Sequence, residues 1–157
     1  MRIRRANDSD DDAIWSMLKP VFRAGDTYAI DPDIPRQAAL DYWMGECAYV
    51  AGGDELAGTF YIRKNQQGGG AHVCNCGYVT ARGAEGKGVA RAMLTFSLDE
   101  ARALGFEAMQ FNFVLANNTR AIDTWERAGF QVIGRQPKAF RFGDGRYTDA
   151  LVMHRFL

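Results

Sequence analysis

Val73-Cys74-Asn75-Cys76-Gly77-Tyr78-Val79-Thr80, followed by Gly83-Ala84-Glu85-Gly86-Lys87-Gly88-Val89-Ala90-Arg91, is the stretch on which the fold turns. The first eight residues read as a strand. Ala90 to Leu104 reads as a strongly helical segment, and Gly105 sits where a helix-terminating glycine belongs. A Gly-rich turn between strand and helix exposes backbone N–H groups at the helix start. Those groups and the positive end of the helix dipole favour an anion. Phosphate is the common guest, and Lys87 and Arg91 add positive charge. The turn therefore points to a phosphate-bearing cofactor.

Outward from the turn, strands and helices alternate. Upstream, Arg2 to Arg5 reads as a strand, and Asp8 or Ser9 is expected to cap a helix through Ile14, Trp15, Leu18 and Phe22. Gly25 to Pro35 reads as a loop carrying Asp26, Tyr28, Asp31 and Asp33, and Arg36 to Glu46 as a second helix. Ala48 to Ala51 and Leu56 to Arg63 form a hairpin across Gly52-Gly53-Asp54-Glu55, followed by a flexible loop from Gln66 to Gly70. Downstream, Glu107 to Leu115 is a strand. Asn117-Asn118-Thr119 caps a helix through Ile122 and Trp125 that stops at Gly129, and Phe130 to Gly134 is again a strand. After Pro137, Ala139 to Phe142 and Tyr147 to Phe156 are expected to make a final hairpin. The pattern is α+β with some parallel pairing, in one domain over residues 1–157.

Composition narrows the partners. Nineteen basic and nineteen acidic residues cancel, which gives no support to nucleic acid or an anionic membrane as partner. No apolar run approaches a membrane span, and the start of the chain lacks an apolar signal core, so a cytoplasmic location is expected. The three cysteines fit a reducing compartment. Cys74 and Cys76 share one strand face but lack a second ligand pair, so they read as small buried residues and no metal is expected.

Two phosphate motifs fit the turn poorly. A P-loop requires Gly where Ala81 stands and Ser or Thr where Gly88 stands. A dinucleotide fingerprint accepts Gly86 and Gly88 but meets Arg91 at its third small position, although Glu107 lies at a suitable distance for a ribose contact.

The chain resembles the GCN5-related N-acetyltransferases. The family turn is Gln/Arg-x-x-Gly-x-Gly/Ala; here Gly88 and Ala90 match and Glu85 departs at the first position. The second likeness is Asn118-Thr119-Arg120-Ala121, then Trp125 to Phe130. The resemblance implies a mixed central sheet of six to seven strands with helices on both faces, and acetyl-coenzyme A as co-substrate. It places the pyrophosphate at Gly86, Lys87, Gly88, Val89, Ala90 and Arg91, and the pantetheine amides along Val79 and Thr80. It also implies that the strand before the turn splays from the next one. Many members carry a Tyr acid where Trp125 stands, and indole cannot take that role.

Asn75 and Asn112 interrupt apolar strands. A buried amide left unpaired costs about 1–3 kcal/mol. Two readings stay open: a substrate cleft, or an amide bridge between strands. A closer likeness is to the yeast members of the family that acetylate proline analogues such as azetidine-2-carboxylate. It implies Asn75 and Asn118 as the acting residues, and Asn118 also reads as a helix cap and a cofactor contact. Tyr28, in the loop that shapes the pocket, and Asn112 are further candidate substrate contacts. The expected activity is transfer of acetyl to a small amine, amino acid or imino acid. The oxyanion would rest on a backbone N–H near Val79, helped by Asn118. A non-catalytic acyl-coenzyme A sensor and a protein acetyltransferase are the alternatives, and a homodimer is left open.

Overall fold

The computed structural model describes residues 1–157. Its order is β1 (Arg2–Arg5), α1 (Asp11–Ala24), α2 (Arg36–Met44), β2 (Cys47–Gly52), β3 (Leu56–Lys64), β4 (Val73–Thr80), α3 (Val89–Ala103), β5 (Ala108–Leu115), α4 (Thr119–Arg127), β6 (Gln131–Arg141) and β7 (Tyr147–Phe156). The seven strands form one mixed sheet in the order β1-β2-β3-β4-β5-β7-β6. This is the expected α+β architecture, with the strand count at the upper end of the range.

Alternation along the strands separates two cores. Phe60, Ile62, Cys74 and Cys76 pack under α3 with Met93, Leu94 and Leu98. Tyr61 and Val79 face the other way and pack against Ile14, Leu18 and Trp43 of α1 and α2. Both buried cysteines thus serve as small apolar residues.

β4 and β5 run parallel and pair only at Val73–Ala108 and Cys74–Met109. Beyond those pairs the strands diverge, and the fork between them is the central feature of the fold. Two backbone bonds, Asn65 N–H to Val73 at 2.9 Å and Ala81 N–H to Ala57 at 2.8 Å, set the phase of the β3–β4 ladder. Antiparallel bonding alternates, so Val79 bonds back to Thr59, while the backbone groups of Cys76, Tyr78 and Thr80 face the fork. The edge amides open to a ligand strand are therefore those of Tyr78 and Thr80. This moves the expected backbone donor away from Val79 itself.

Two element boundaries differ from expectation. Asn7, rather than Asp8 or Ser9, caps the first helical turn, accepting from the Ser9 N–H at 3.0 Å; α1 proper begins at Asp11. The Asp10 carboxylate completes this cap, accepting from the Asn7 N–H at 2.9 Å and from Arg4 at 2.7 and 2.8 Å. The segment after Phe130 is one long strand rather than two. β6 lies at the sheet edge, where a proline and a bulge are tolerated. Asp149 on β7 holds the irregular stretch, accepting from the Lys138 N–H at 2.8 Å and from Arg135 at 2.7 Å.

Candidate active site

At the Gly-rich turn the backbone itself makes the site. Gly86 and Gly88 take φ of +75° and +79°, where a side chain would be strained. An added Cβ at either would meet no atom within 4 Å, so the turn opens onto free space. The amides of Gly86, Gly88, Val89, Ala90 and Arg91 donate to no protein acceptor; the first α3 bond is Ala92 N–H to Gly88. Five free donors at a helix start fit a pyrophosphate. Glu85 does not oppose this. Its carboxylate folds back onto the Gly83 N–H at 2.6 Å, which bonds the turn internally. Its own backbone N–H, and then that of Gly83, hold the Glu85 carboxyl below its ordinary value. A groove of about 470 Å³ runs from the turn past Arg91, Thr80, Asn118, Arg120 and Trp125. Val79 is absent from its walls, and so is Lys87, which is exposed.

A second cavity of about 330 Å³ occupies the fork on the α1/α2 side. β4 supplies Asn75 and Tyr78, β5 supplies Asn112, β3 supplies Tyr61, α2 supplies Tyr42, and the loop after α1 supplies Tyr28. None of its eighteen lining side chains carries a formal charge, so it offers no carboxylate to hold an ammonium ion. Tyr78, Asn118, Ala121 and Trp125 line both spaces and mark where they meet.

The asparagines take distinct positions. Asn118 caps α4, accepting from the Ala121 N–H at 3.2 Å; its own amide N–H groups have no protein acceptor. Asn75 stands where the strands part. It donates to the Gln110 carbonyl at 2.9 Å and accepts from the Tyr61 hydroxyl at 3.2 Å, leaving one N–H free. Bridge and cavity wall, the two readings open from sequence, thus coincide at this residue. Asn112 is exposed at the rim, bonded to Asn65 at 2.6 Å and Gln110 at 3.0 Å. Tyr28 donates to the Tyr78 carbonyl at 2.9 Å, tying the loop to the open edge of β4.

Trp125 packs between Phe111 and Tyr78, with ring centres 4.7 and 5.4 Å away. The Tyr78 hydroxyl turns into the core, 2.7 Å from Ser97. Burial raises the Tyr28, Tyr61 and Tyr78 phenols well above their ordinary value, so all three stay protonated donors or core groups. His72 and His154 line neither space.

A fork between parallel strands, with free amides at the following helix, agrees with what comparison of the whole chain finds. The family model described as the acetyltransferase (GNAT) family matches residues 12–130. The chain belongs to the GNAT family. Acetyl-coenzyme A is the co-substrate of that family, and its members are acetyltransferases. The GNAT chain is 30% identical over 148 residues to the N-acetyltransferase aca1 of Schizosaccharomyces pombe, covering 82% of this chain and 71% of the relative. It matches the structure of a GCN5-related N-acetyltransferase from Kribbella flavida at 36% identity and a TM-score of 0.94, over 99% and 97% of the two chains. The fold is shared with yncA, a putative acetyltransferase from Salmonella typhimurium solved with acetyl-CoA (21% identity, TM-score 0.88, 100% and 94% covered). No helix of this GNAT chain is long and apolar enough to cross a membrane.

Sequence reasoning missed Tyr42, Tyr61 and Tyr78 as cavity walls. One signal was available. Tyr61 pairs with Gly77 across the ladder, and a Cβ at Gly77 would sit 2.6 Å from the Tyr61 ring. An aromatic paired with a glycine marks a ring lying flat over the neighbouring strand.

Proposed function

We propose that this GNAT chain, as one catalytic domain, moves an acetyl group from acetyl-coenzyme A to the neutral amine of a small molecule, with amino and imino acids in its range. The carrying observation is the meeting of two spaces at Asn118: a groove with five free amides and a small uncharged cavity across the fork. A protein acceptor would need an open groove in place of a cavity of about 330 Å³. The three free thiols favour a cytoplasmic setting.

The co-substrate supplies an activated acyl group, so the protein needs no nucleophile of its own. The turn from Gly86 to Arg91 holds the pyrophosphate, and the open edge at Tyr78 and Thr80 hydrogen-bonds the pantetheine amides. Asn118 and an edge amide of β4 are the donors at the developing oxyanion. Asn75 orients the acceptor from the opposite wall. The uncharged lining admits the amine as its free base, and the released proton leaves through water at the rim near Asn112.

A panel of small amines, amino acids and peptides with N-terminal or lysine amines, followed by release of free coenzyme A, tests this. Turnover of small acceptors is expected. Turnover confined to peptides would replace this reading with a protein acetyltransferase, and binding of acetyl-coenzyme A without any acceptor would indicate a sensor.

A further inference from the structure

Beside the acceptor cavity, outside its lining, lies a charge to which acetyl transfer gives no task. Arg63, near the end of β3, is the ladder partner of Asn75. Its guanidinium carbon stacks 3.6 Å from the ring centre of Tyr61 and 4.5 Å from that of Tyr42. One terminal nitrogen donates to the Tyr42 carbonyl at 2.9 Å, while the buried Nε donates to nothing. No carboxylate of the chain pairs with it. Two aromatic faces cover part of the charge, yet a partly buried cation without an anion is an incomplete arrangement.

The two tyrosines carry that charge to the cavity. Their hydroxyl oxygens are 3.5 Å apart, and both residues line the space. The Tyr61 proton is committed to Asn75, which leaves the Tyr42 proton and the second Asn75 N–H for a ligand. Tyr42 is 37% exposed, so this end of the cavity is its mouth. An anion there would accept from two neutral donors beside the rings on which the Arg63 guanidinium stacks. A second ammonium there would be repelled by Arg63 and meet no carboxylate in the lining.

Resting on the small-amine reading above, we infer that Tyr42, Tyr61 and Arg63 form an anion subsite at the mouth of the acceptor cavity, selecting amines that carry a carboxylate close to the nitrogen. Asn118, Tyr42 and Tyr61 all line the one cavity of about 330 Å³. Arg63 touches no ligand; it is a positioning residue that holds both rings and supplies the field.

The test compares three acceptor pairs: glycine and glycinamide, alanine and alaninamide, proline and prolinamide. With kcat/KM expressed per free-base amine, so that the lower basicity of each amide does not enter, the native protein is expected to favour the carboxylate member by roughly tenfold to a hundredfold, the worth of one hydrogen bond to a charged group. Arg63→Met and Tyr42→Phe should bring that ratio near one, and Arg63→Lys should retain most of it. The KM for acetyl-coenzyme A reports on folding of the site and should not move. Equal kcat/KM within each pair, or a ratio untouched by Arg63→Met, overturns the subsite and leaves the small-amine reading standing. If no member is acetylated, the small-amine reading fails for this class. Calorimetric titration of the same six compounds into the protein with coenzyme A then decides the subsite. Carboxylate-selective binding that Arg63→Met abolishes supports it, and binding without selectivity, or none, overturns it.

Discussion

The two spaces that meet at Asn118 are built by opposite means. The groove at the Gly-rich turn is local and made of backbone. Residues 83 to 91 alone shape its anion end, where the five free amides need only glycines in the left-handed region and a helix to follow. The acceptor cavity is non-local and made of side chains. Tyr28, Tyr42, Tyr61, Asn75 and Asn112 reach it from a loop, a helix and three strands. A backbone site fits a feature common to every molecule of its kind, here a pyrophosphate. A side-chain site can differ between relatives of the same fold without disturbing the sheet. The first therefore reports the cofactor, and the second the acceptor.

Variants can break that division. Gly88→Pro carries the largest expected effect, because proline deletes an amide donor and its φ near −65° cannot match +79°. A penalty of about 3 kcal/mol or more corresponds to at least a hundredfold loss of affinity. Calorimetric titration with acetyl-coenzyme A of a variant shown to be folded reads it directly. Unchanged affinity would remove the turn as the cofactor site.

Asn118→Leu comes next, since this residue belongs to both spaces. Turnover should fall on the order of 10²–10³-fold through loss of a donor at the oxyanion. Helix α4 should also lose about 0.5–2 kcal/mol from its cap. Asn75→Leu should lower turnover comparably but leave cofactor affinity closer to the native value, because Asn75 lies on the acceptor side only. Steady-state kinetics beside thermal melts separates the two. Equal losses of cofactor affinity would erase the distinction between the spaces.

The pH profile gives a smaller but sharper contrast. Burial keeps the cavity phenols Tyr28 and Tyr61 protonated well past neutrality, so the group expected to titrate is the acceptor amine. The acceptor kcat/KM should rise about tenfold per pH unit below the amine's own pKa and level off above it. The break should move when a more weakly basic amine is used. A break that stays fixed across acceptors would reveal a base in the enzyme. The smallest effect belongs to Trp125→Phe. The indole packs against Phe111 and Tyr78 and donates to no protein group, so turnover should stay within a few-fold of native. A true acid would cost roughly 10²–10⁴-fold, and a loss of that size without unfolding would reassign the helix.

Most of the elements were legible because helix and strand periods, caps and breakers act within a few residues. Ile14, Leu18 and Phe22 lie buried in one core as their spacing requires, and Gly105 ends α3. The misread boundaries have different causes. Asn7 and Asp10 cap each other three residues apart, a local signal one residue upstream of the expected cap, whereas the Pro137 region is held in one strand by Asp149, a partner supplied by tertiary packing. The phase of the β3–β4 ladder is of the same kind. Local pattern shows that Val79 lies in a strand, but only pairing decides that its amide faces Thr59 and not the fork.

The division between what the sequence alone determined and what the tertiary structure decided follows from range. Backbone conformation at Gly86 and Gly88, the helix that follows, and the cap at Asn118 are set by neighbours in the chain, so the cofactor class was readable from residue order. The acceptor cavity exists only because β4 and β5 part after Cys74 and Met109, and because α2 and the Tyr28 loop then close the α1/α2 side. Arg63 stacks on Tyr61, two positions away on the same strand, and on Tyr42, 21 positions away in α2. No local rule specifies the contact with Tyr42, since its free energy is gained only when α2 has packed on the sheet.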